Sequence, residues 1–188
     1  MTDDHTTTAT ALLREEHQLI LKVAAWLSVA LAAERTGRPL DYEAVSECIT
    51  FFRLFADACH HGKEEDLLFP SLEAEGLPQN AGPIAVMLAE HQQGRALVRT
   101  MAASLDNARA GHEQAGIDLR TAAEGFVNLI AAHISKEDNM LFQMADDLIQ
   151  GPTCRDLCAR YDEVCHRRFD GRTKQELERL GAAILARN

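Results

Sequence analysis

The sequence predicts an all-α fold: an antiparallel, up-down four-helix bundle over residues 1–150 with a C-terminal helical extension over 151–188. Three observations predict it. Hydrophobic residues make up 46% of the chain and recur at helical spacing along four long segments. Alanine, leucine and glutamate, all good helix formers, are abundant, and only 5 prolines interrupt 188 residues. Glycine and proline cluster between the segments, which makes the connections short and the neighbours antiparallel.

The first helix is expected from Thr7 or Thr8, either a suitable N-cap, to about Glu34. Its apolar stripe reads Leu13, Ile20, Leu21, Ala24, Leu27 and Leu31, and His17 falls inside it. Gly37 and Pro39 mark a loop, and Asp41 is the next N-cap, without a capping box. The second helix turns Val45, Ile49, Phe52, Phe55, Ala56 and Cys59 inward and delivers His60 and Glu64; Pro70 should end or kink it. Gly76, Pro78, Gly82 and Pro83 form a connector. The third helix has Pro83 in its first turn and buries Ile84, Met87, Leu88, Val98, Met101 and Leu105, with His91 in line. Gly94, one turn on, costs roughly 1 kcal/mol against alanine and leaves room beside His91. Gly111 and Gly116 bracket the third loop. The fourth helix carries Leu119, Phe126, Leu129, Ile130, His133, Glu137 and Leu141 and ends near Gln150. In the extension, Cys154, Leu157, Cys158, Tyr161 and Cys165 share one stripe, and Leu177, Leu180 and Ile184 another. It is expected to pack on the bundle as a regulatory or homodimer-forming element.

The net charge of -10, from 29 acids and 19 bases, argues against nucleic acid or an anionic membrane as partner. No window approaches a membrane span, and the segment Met1 to His5 lacks the basic and apolar regions of a signal peptide, so the expected location is cytoplasmic. Five cysteines, odd in number and with Cys48 and Cys59 isolated, do not read as a disulfide framework. Cys59 is expected to pack. Cys154, Cys158, Cys165 and His166 have the residue types of a zinc or thiol-redox site at loose spacing, and buried helix cysteines commonly only pack.

The chemistry concentrates in His60-His61-Gly62-Lys63-Glu64-Glu65-Asp66-Leu67-Leu68-Phe69-Pro70. His60 and Glu64, four apart, point to one side of a helix, on the stripe that should be core. An unpaired buried carboxylate would be very costly there, so a cation between helices is the sensible partner. The stretch has a second copy, His133-Ile134-Ser135-Lys136-Glu137-Asp138, followed by Met140-Leu141-Phe142. Glu16-His17-Gln18 likewise matches Glu90-His91-Gln92, at an offset of 74 residues against 73 for the other pair. Each half supplies one lone histidine and one His-x-x-x-Glu pair. A lone histidine is more often a hydrogen-bonded core residue, and an i,i+4 His–Glu pair usually lies on a surface. Four such features on four apolar stripes, in a matched repeat, point instead to a two-metal site near the bundle axis. His61 lies about 100° round the helix from His60 and needs a bend near Gly62 to reach that site. His5, His112 and His166 are expected in solvent, as are the acid pairs Glu15-Glu16 and Asp146-Asp147; Trp26 and the phenylalanines are expected in the core.

Imidazole and carboxylate donors without thiolate suit iron, manganese or zinc. Cations about 3.5–4 Å apart repel, and bridging carboxylates offset this. Four histidines and two bridging glutamates give each metal about four protein bonds, and an oxo or hydroxo bridge adds one. An octahedral iron then keeps a position for dioxygen, peroxide or nitric oxide. Zinc accepts fewer ligands and does no redox chemistry; it and manganese rank behind iron.

The order His17, His60-x-x-x-Glu64, His91, His133-x-x-x-Glu137 resembles the hemerythrin-like, or HHE cation-binding, domains over roughly residues 8–150. The continuation Lys63-Glu64-Glu65 with Leu68-Phe69-Pro70 is like the bacterial members. The resemblance implies a non-haem di-iron centre, with His17, His60, His91 and His133 as terminal ligands and Glu64 and Glu137 as bridges. The family includes oxygen carriers, sensors of oxygen, redox state or iron, proteins that react with peroxide or nitric oxide, and proteins tied to iron–sulfur cluster repair. Oxygen carriers place a further histidine one turn after the one on the third helix. Arg95 stands there, which moves the expectation from transport towards catalase-like, peroxidase-like or nitric-oxide-reactive chemistry in a redox or nitrosative stress response. The alternative is an iron- or oxygen-sensing or storage protein without turnover. His61, Glu65 and Glu90 are the candidates for a further donor. No tyrosine or third carboxylate stands clearly on the inner stripes as a general acid.

Overall fold

The structure, a computed structural model, describes residues 8–168 and 171–187. His5, Thr7, Phe169 and the side chain of Cys165 lie outside the described residues, and so do the expectations that fall on them. All regular structure among the described residues is helical. α1 spans Ala11–Arg35. α2, Tyr42–Phe51, runs on through wide π-helical turns at Phe52–His61 and Glu64–Leu68 into α3, Phe69–Ala74. α4 spans Gly82–Arg109. α5, Glu113–Lys136, continues through a π-helical turn at Glu137–Leu141 into α6, Phe142–Leu148. α7, Gly151–Arg168, and α8, Lys174–Leu185, follow.

Local chemistry accounts for the boundaries. Asp41 caps α2 as expected, accepting from the amides of Glu43 and Ala44 at 3.0 Å each. α1 is capped at Thr10, two or three residues later than expected. Thr10, at its N-cap position, turns its hydroxyl to Asp146, 2.8 and 2.9 Å from the two carboxylate oxygens. Asp146 is therefore a tie between α1 and α6, not a solvated acid. Pro70 does not end the second rod. It falls in the first turn of α3, where the preceding π-helical turns have already released its missing N–H from the ladder. Gly111 has φ +86° and terminates α4, whereas Gly116 lies inside α5 and not in the loop.

The apolar side chains form two clusters stacked along the bundle. One holds Ile20 to Leu31, Val45 to Cys59, Val98 to Ala108 and Leu119 to Ile134, and α8 joins it through Leu177 and Ile184. The other holds Leu13, Leu67 to Leu72, Ile84, Met87 and Leu141 to Ile149, and α7 joins it through Cys154, Leu157, Tyr161 and Val164. Along each rod the candidate residues fall at the break between the two: His17 between Leu13 and Ile20, His60 and Glu64 between Cys59 and Leu67, His91 between Met87 and Val98, His133 and Glu137 about Ile134 and Leu141. A polar layer is thus sealed by hydrocarbon at both ends.

α7 and α8 pack against the other helices. The buried Tyr161 hydroxyl donates to Ala9 O at 2.8 Å, and a capping box at Thr173 and Glu176 starts α8. A Cβ at Gly181 would come within 3.0 Å of Phe51 and 3.2 Å of Leu19, so the bare glycine lets α8 approach this closely. Trp26 is only half-buried, its indole N–H directed to Arg187 O at 3.3 Å. No helix among the described residues is long and apolar enough to cross a membrane.

Candidate metal centre

All six residues expected as ligands converge in the polar layer, and each is buried. They form two overlapping groups: His17, His60, Glu64 and Glu137, and His61, Glu64, His91 and His133. Within each group one donor atom per residue lies within 4.8 Å of every other. Glu64 belongs to both. Its Oε1 lies 3.4 Å from His60 Nε2 and its Oε2 3.4 Å from His91 Nε2. Glu137 spans the same gap from the other side, with Oε2 3.2 Å from His17 Nε2 and Oε1 3.2 Å from His133 Nε2. The histidines pair across the helices: His17 and His60 Nε2 atoms are 3.0 Å apart, His91 and His133 3.2 Å.

The outward ring nitrogens explain what the inner ones can do. His17 Nδ1 donates to Asp138 at 2.9 Å, His60 Nδ1 to Glu16 at 3.0 Å, His91 Nδ1 to Glu65 at 2.7 Å and His133 Nδ1 to Glu90 at 3.0 Å. A carboxylate can only accept, so each bond fixes the Nδ1–H tautomer and leaves a lone pair on Nε2, aimed inward. The lysine of each repeated motif completes the design: Lys63 reaches Glu16, and Lys136 reaches Glu90. Glu16 is 3% exposed, which overturns its reading as a solvated acid. Glu65 and Glu90 act as holders of histidines, not as donors of their own. Further carboxylates do therefore reach the interior, contrary to expectation. The signal was present in the repeat, since each holder sits one residue from a ligand candidate, but helical periodicity places neighbours on different faces and hides their convergence.

His61 joins the second group without a bend at Gly62, whose φ of −60° and ψ of −38° are helical. The wide turns over Phe52–His61 bring it round instead. Its ring stacks on His91 with centroids 3.8 Å apart, and its nearest carboxylate oxygen, Asp57 Oδ1, is 3.5 Å away. Arg95 occupies the position of the carriers' extra histidine. Its guanidinium binds Asp57 at 2.7 Å and Glu65 at 2.8 Å, and so steadies the holder of His91.

The layer fits a cation and little else. Both oxygens of Glu64 and of Glu137, and both ring nitrogens of His61, are buried without a hydrogen bond among the described residues. Such groups cost several kcal/mol each unless something positive meets them. Without a cation, protons must serve. Burial lowers His17, but Asp138 and Glu137 outweigh it and raise the imidazole to about 9. Its partner His60 falls to about 3, through burial first and then, against the pull of Glu16, the charge on His17. The second pair repeats this: His133 rises to about 9 because Glu137 overcomes burial, and His91 is lowered, chiefly by burial. Burial, then the charge of Glu137, raises Glu64 to about 8. Burial also opposes ionisation of Glu137, but His133 and His17 hold it well below the usual range.

The other expected sites separate from this one. Cys48, Cys154 and Cys158 are thiols outside any disulfide, and Cys154 and Cys158 join no metal-type group among the described residues. Cys59 is disulfide-bonded, not simply packed, and receives Lys63 Nζ at 3.3 Å. His112 and His166 are exposed.

A family model described as hemerythrin HHE cation binding domain matches residues 8–145. Uncharacterized proteins of Mycobacterium tuberculosis strain H37Rv and of Mycobacterium bovis are similar in sequence, each 27% identical over 126 residues, which is 67% of this chain and 49% of the relative. The chain thus spans about half the length of the curated relatives it matches.

Proposed function

Because the chain belongs to the hemerythrin HHE cation-binding domain family, we propose that it is a non-haem di-iron protein that reacts with small oxidants, peroxide or nitric oxide ahead of reversible dioxygen carriage. The observation that carries this reading is the sharing of Glu64 between two groups of buried donors, with Glu137 reaching histidines of both. In this reading His17 and His60 would hold one ion, His61, His91 and His133 would hold the other, and Glu64 and Glu137 would serve both. Iron supplies redox chemistry towards dioxygen, peroxide and nitric oxide that zinc would not.

The chain's own residues set the conditions. Glu16, Glu65, Glu90 and Asp138 keep the imidazoles in one tautomer, which lowers the cost of assembling the site. The two apolar clusters exclude water from either end of the layer. A cavity touches the group that contains His61, His91 and His133, and its walls include neither His17 nor His60, so a small ligand meets the two halves unequally. We read residues 1–150 as an antiparallel up-down bundle, 151–188 as its appendage, and the protein as cytoplasmic, acting in redox or nitrosative stress.

Elemental analysis of the iron-loaded chain tests the metal content, with two irons per chain expected. Gas evolution on adding peroxide tests the reaction. A second reading, sensing or storage without turnover, draws on Lys174 of α8, whose Nζ lies 2.9 Å from Glu16 Oε1 and so links the extension to a ligand holder. A reversible optical band with oxygen and no turnover would favour it.

A further inference from the structure

The cavity beside His61, His91 and His133 measures about 350 Å³. That lies at the lower end of the ~300–1,000 Å³ of small-molecule sites and is about ten times the ~30 Å³ share of one water. Dioxygen or peroxide would leave most of it empty. Its inner wall is hydrocarbon, from Phe52, Ala56, Val98, Phe126, Leu129 and Ile130. A Cβ at Gly94 would stand 3.7 Å from Leu129 and 3.8 Å from Phe126, ordinary contacts. Packing of the helices therefore does not demand glycine at 94; the missing side chain widens the cavity.

The rim is basic. Arg53 and Arg99 line the cavity from the second rod and from α4, and both are exposed. Neither has an ion pair among the described residues, whereas Arg95, also in the lining, is neutralised by Asp57 and Glu65. Two uncompensated guanidiniums at the mouth of an apolar cavity, on a chain of net charge -10, complement an anion with a hydrocarbon body.

We propose that this cavity binds a medium-chain monocarboxylate, its carboxylate on Arg53 and Arg99 and its tail directed past Gly94 and Phe126 towards His61, His91 and His133. At roughly a water's volume per heavy atom, about ten such atoms fit. The proposal holds for whichever metal the donors take.

Octanoate titrated calorimetrically into the metal-loaded full chain tests it, with octanol and octylammonium as controls. One-to-one saturable binding of octanoate is expected, at least tenfold tighter than octanol, with no binding of octylammonium. R53E/R99E, altered only at exposed positions, should bind octanoate at least tenfold more weakly while keeping its metal. Gly94→Leu should abolish binding by filling the cavity; should it fail to fold, R53E/R99E decides alone. No saturation by octanoate, equal affinity in R53E/R99E, or equal affinity for octanol would each overturn the proposal. Metal content measured on the same samples separates this failure from that of the di-iron reading.

Discussion

Glu16 and His17 are adjacent in the chain but serve different histidines: Glu16 Oε2 accepts from His60 Nδ1 at 3.0 Å, while His17 Nδ1 donates to Asp138 at 2.9 Å. The repeat copies the arrangement at Glu90, which accepts from His133 at 3.0 Å. Each rod thus contributes at least one ligand candidate and steadies a histidine on a neighbouring rod. Glu16→Gln and Glu90→Gln keep the shape and remove the charge. Each is expected to weaken metal binding by about 10- to 100-fold with helix content unchanged. Competition against a chromogenic chelator measures this, and full affinity in both variants would mean the carboxylates only pack.

Glu64 should change sign between metal-free and metal-loaded protein. Its carboxyl is raised from 4.5 to about 8 in the fold, so the native state holds a proton that the unfolded chain releases. Metal-free stability therefore falls as pH rises from about 4.5 to 8. Glu64→Gln has no such proton to lose. The metal-free variant should be more stable than wild type at pH 8, on the order of 1–4 kcal/mol, and the two should converge near pH 4. The same variant should retain less metal. Denaturant unfolding at the two pH values, with and without metal, reads both effects; a metal-free variant less stable at pH 8 would contradict the unpaired carboxylate.

Simple ligand loss gives a graded series. His60→Ala and Glu137→Ala should lower bound metal well below wild type and reduce thermal stability by removing ligand linkage. His61→Ala should affect only the group it shares with His91 and His133. His112→Ala, altered in solvent at the start of α5, should do neither. Metal analysis and thermal melts of the four variants suffice, and unchanged metal in His60→Ala and Glu137→Ala would remove the assignment.

The six inward residues were legible because a histidine or glutamate on an apolar stripe is chemically out of place, and because the stripes repeat. The holders were not. Glu16 and Asp138 lie one residue from a ligand candidate, about 100° round a regular helix, and Glu16 reads as solvent-facing. Only the packing of neighbouring rods makes them buried acceptors. His61, a candidate for a further donor, does reach the second group, but through the wider winding of Phe52–His61 and not through a bend at Gly62, which regular α-geometry would have required. Thr10 has an ordinary N-cap residue type, yet its hydroxyl is drawn to Asp146, 136 positions away, which no local pattern can announce.

Metal uptake should release protons. His17 and His133 are raised to about 9 and Glu64 to about 8, so near pH 7 the metal-free site carries about three protons that a cation must displace. Affinity should climb steadily with pH up to about 9 and collapse on acidification. Calorimetry at pH 7 in two buffers of different ionisation enthalpy counts the protons. A release near zero, with affinity flat between pH 6 and 9, would rule out the protonated imidazoles.

The two halves of the site should also release metal at different rates. Glu16 is fully enclosed and meets two ammonium groups, Lys63 and Lys174, the second from α8. Glu90 is more exposed and meets Lys136 from its own neighbouring rod. The histidine held by Glu16, His60, should therefore be more firmly oriented than His133. Chelator-driven release is expected in two phases, the slower from the group containing His17 and His60. Lys174→Met should quicken that phase by about two- to fivefold, the size expected of a modest, partly buried charge pair, and leave the other alone. Lys136→Met should quicken the faster phase instead. Stopped-flow release followed at the metal's own absorption separates the phases, and a Lys174→Met trace that superimposes on wild type would show that α8 only covers the bundle.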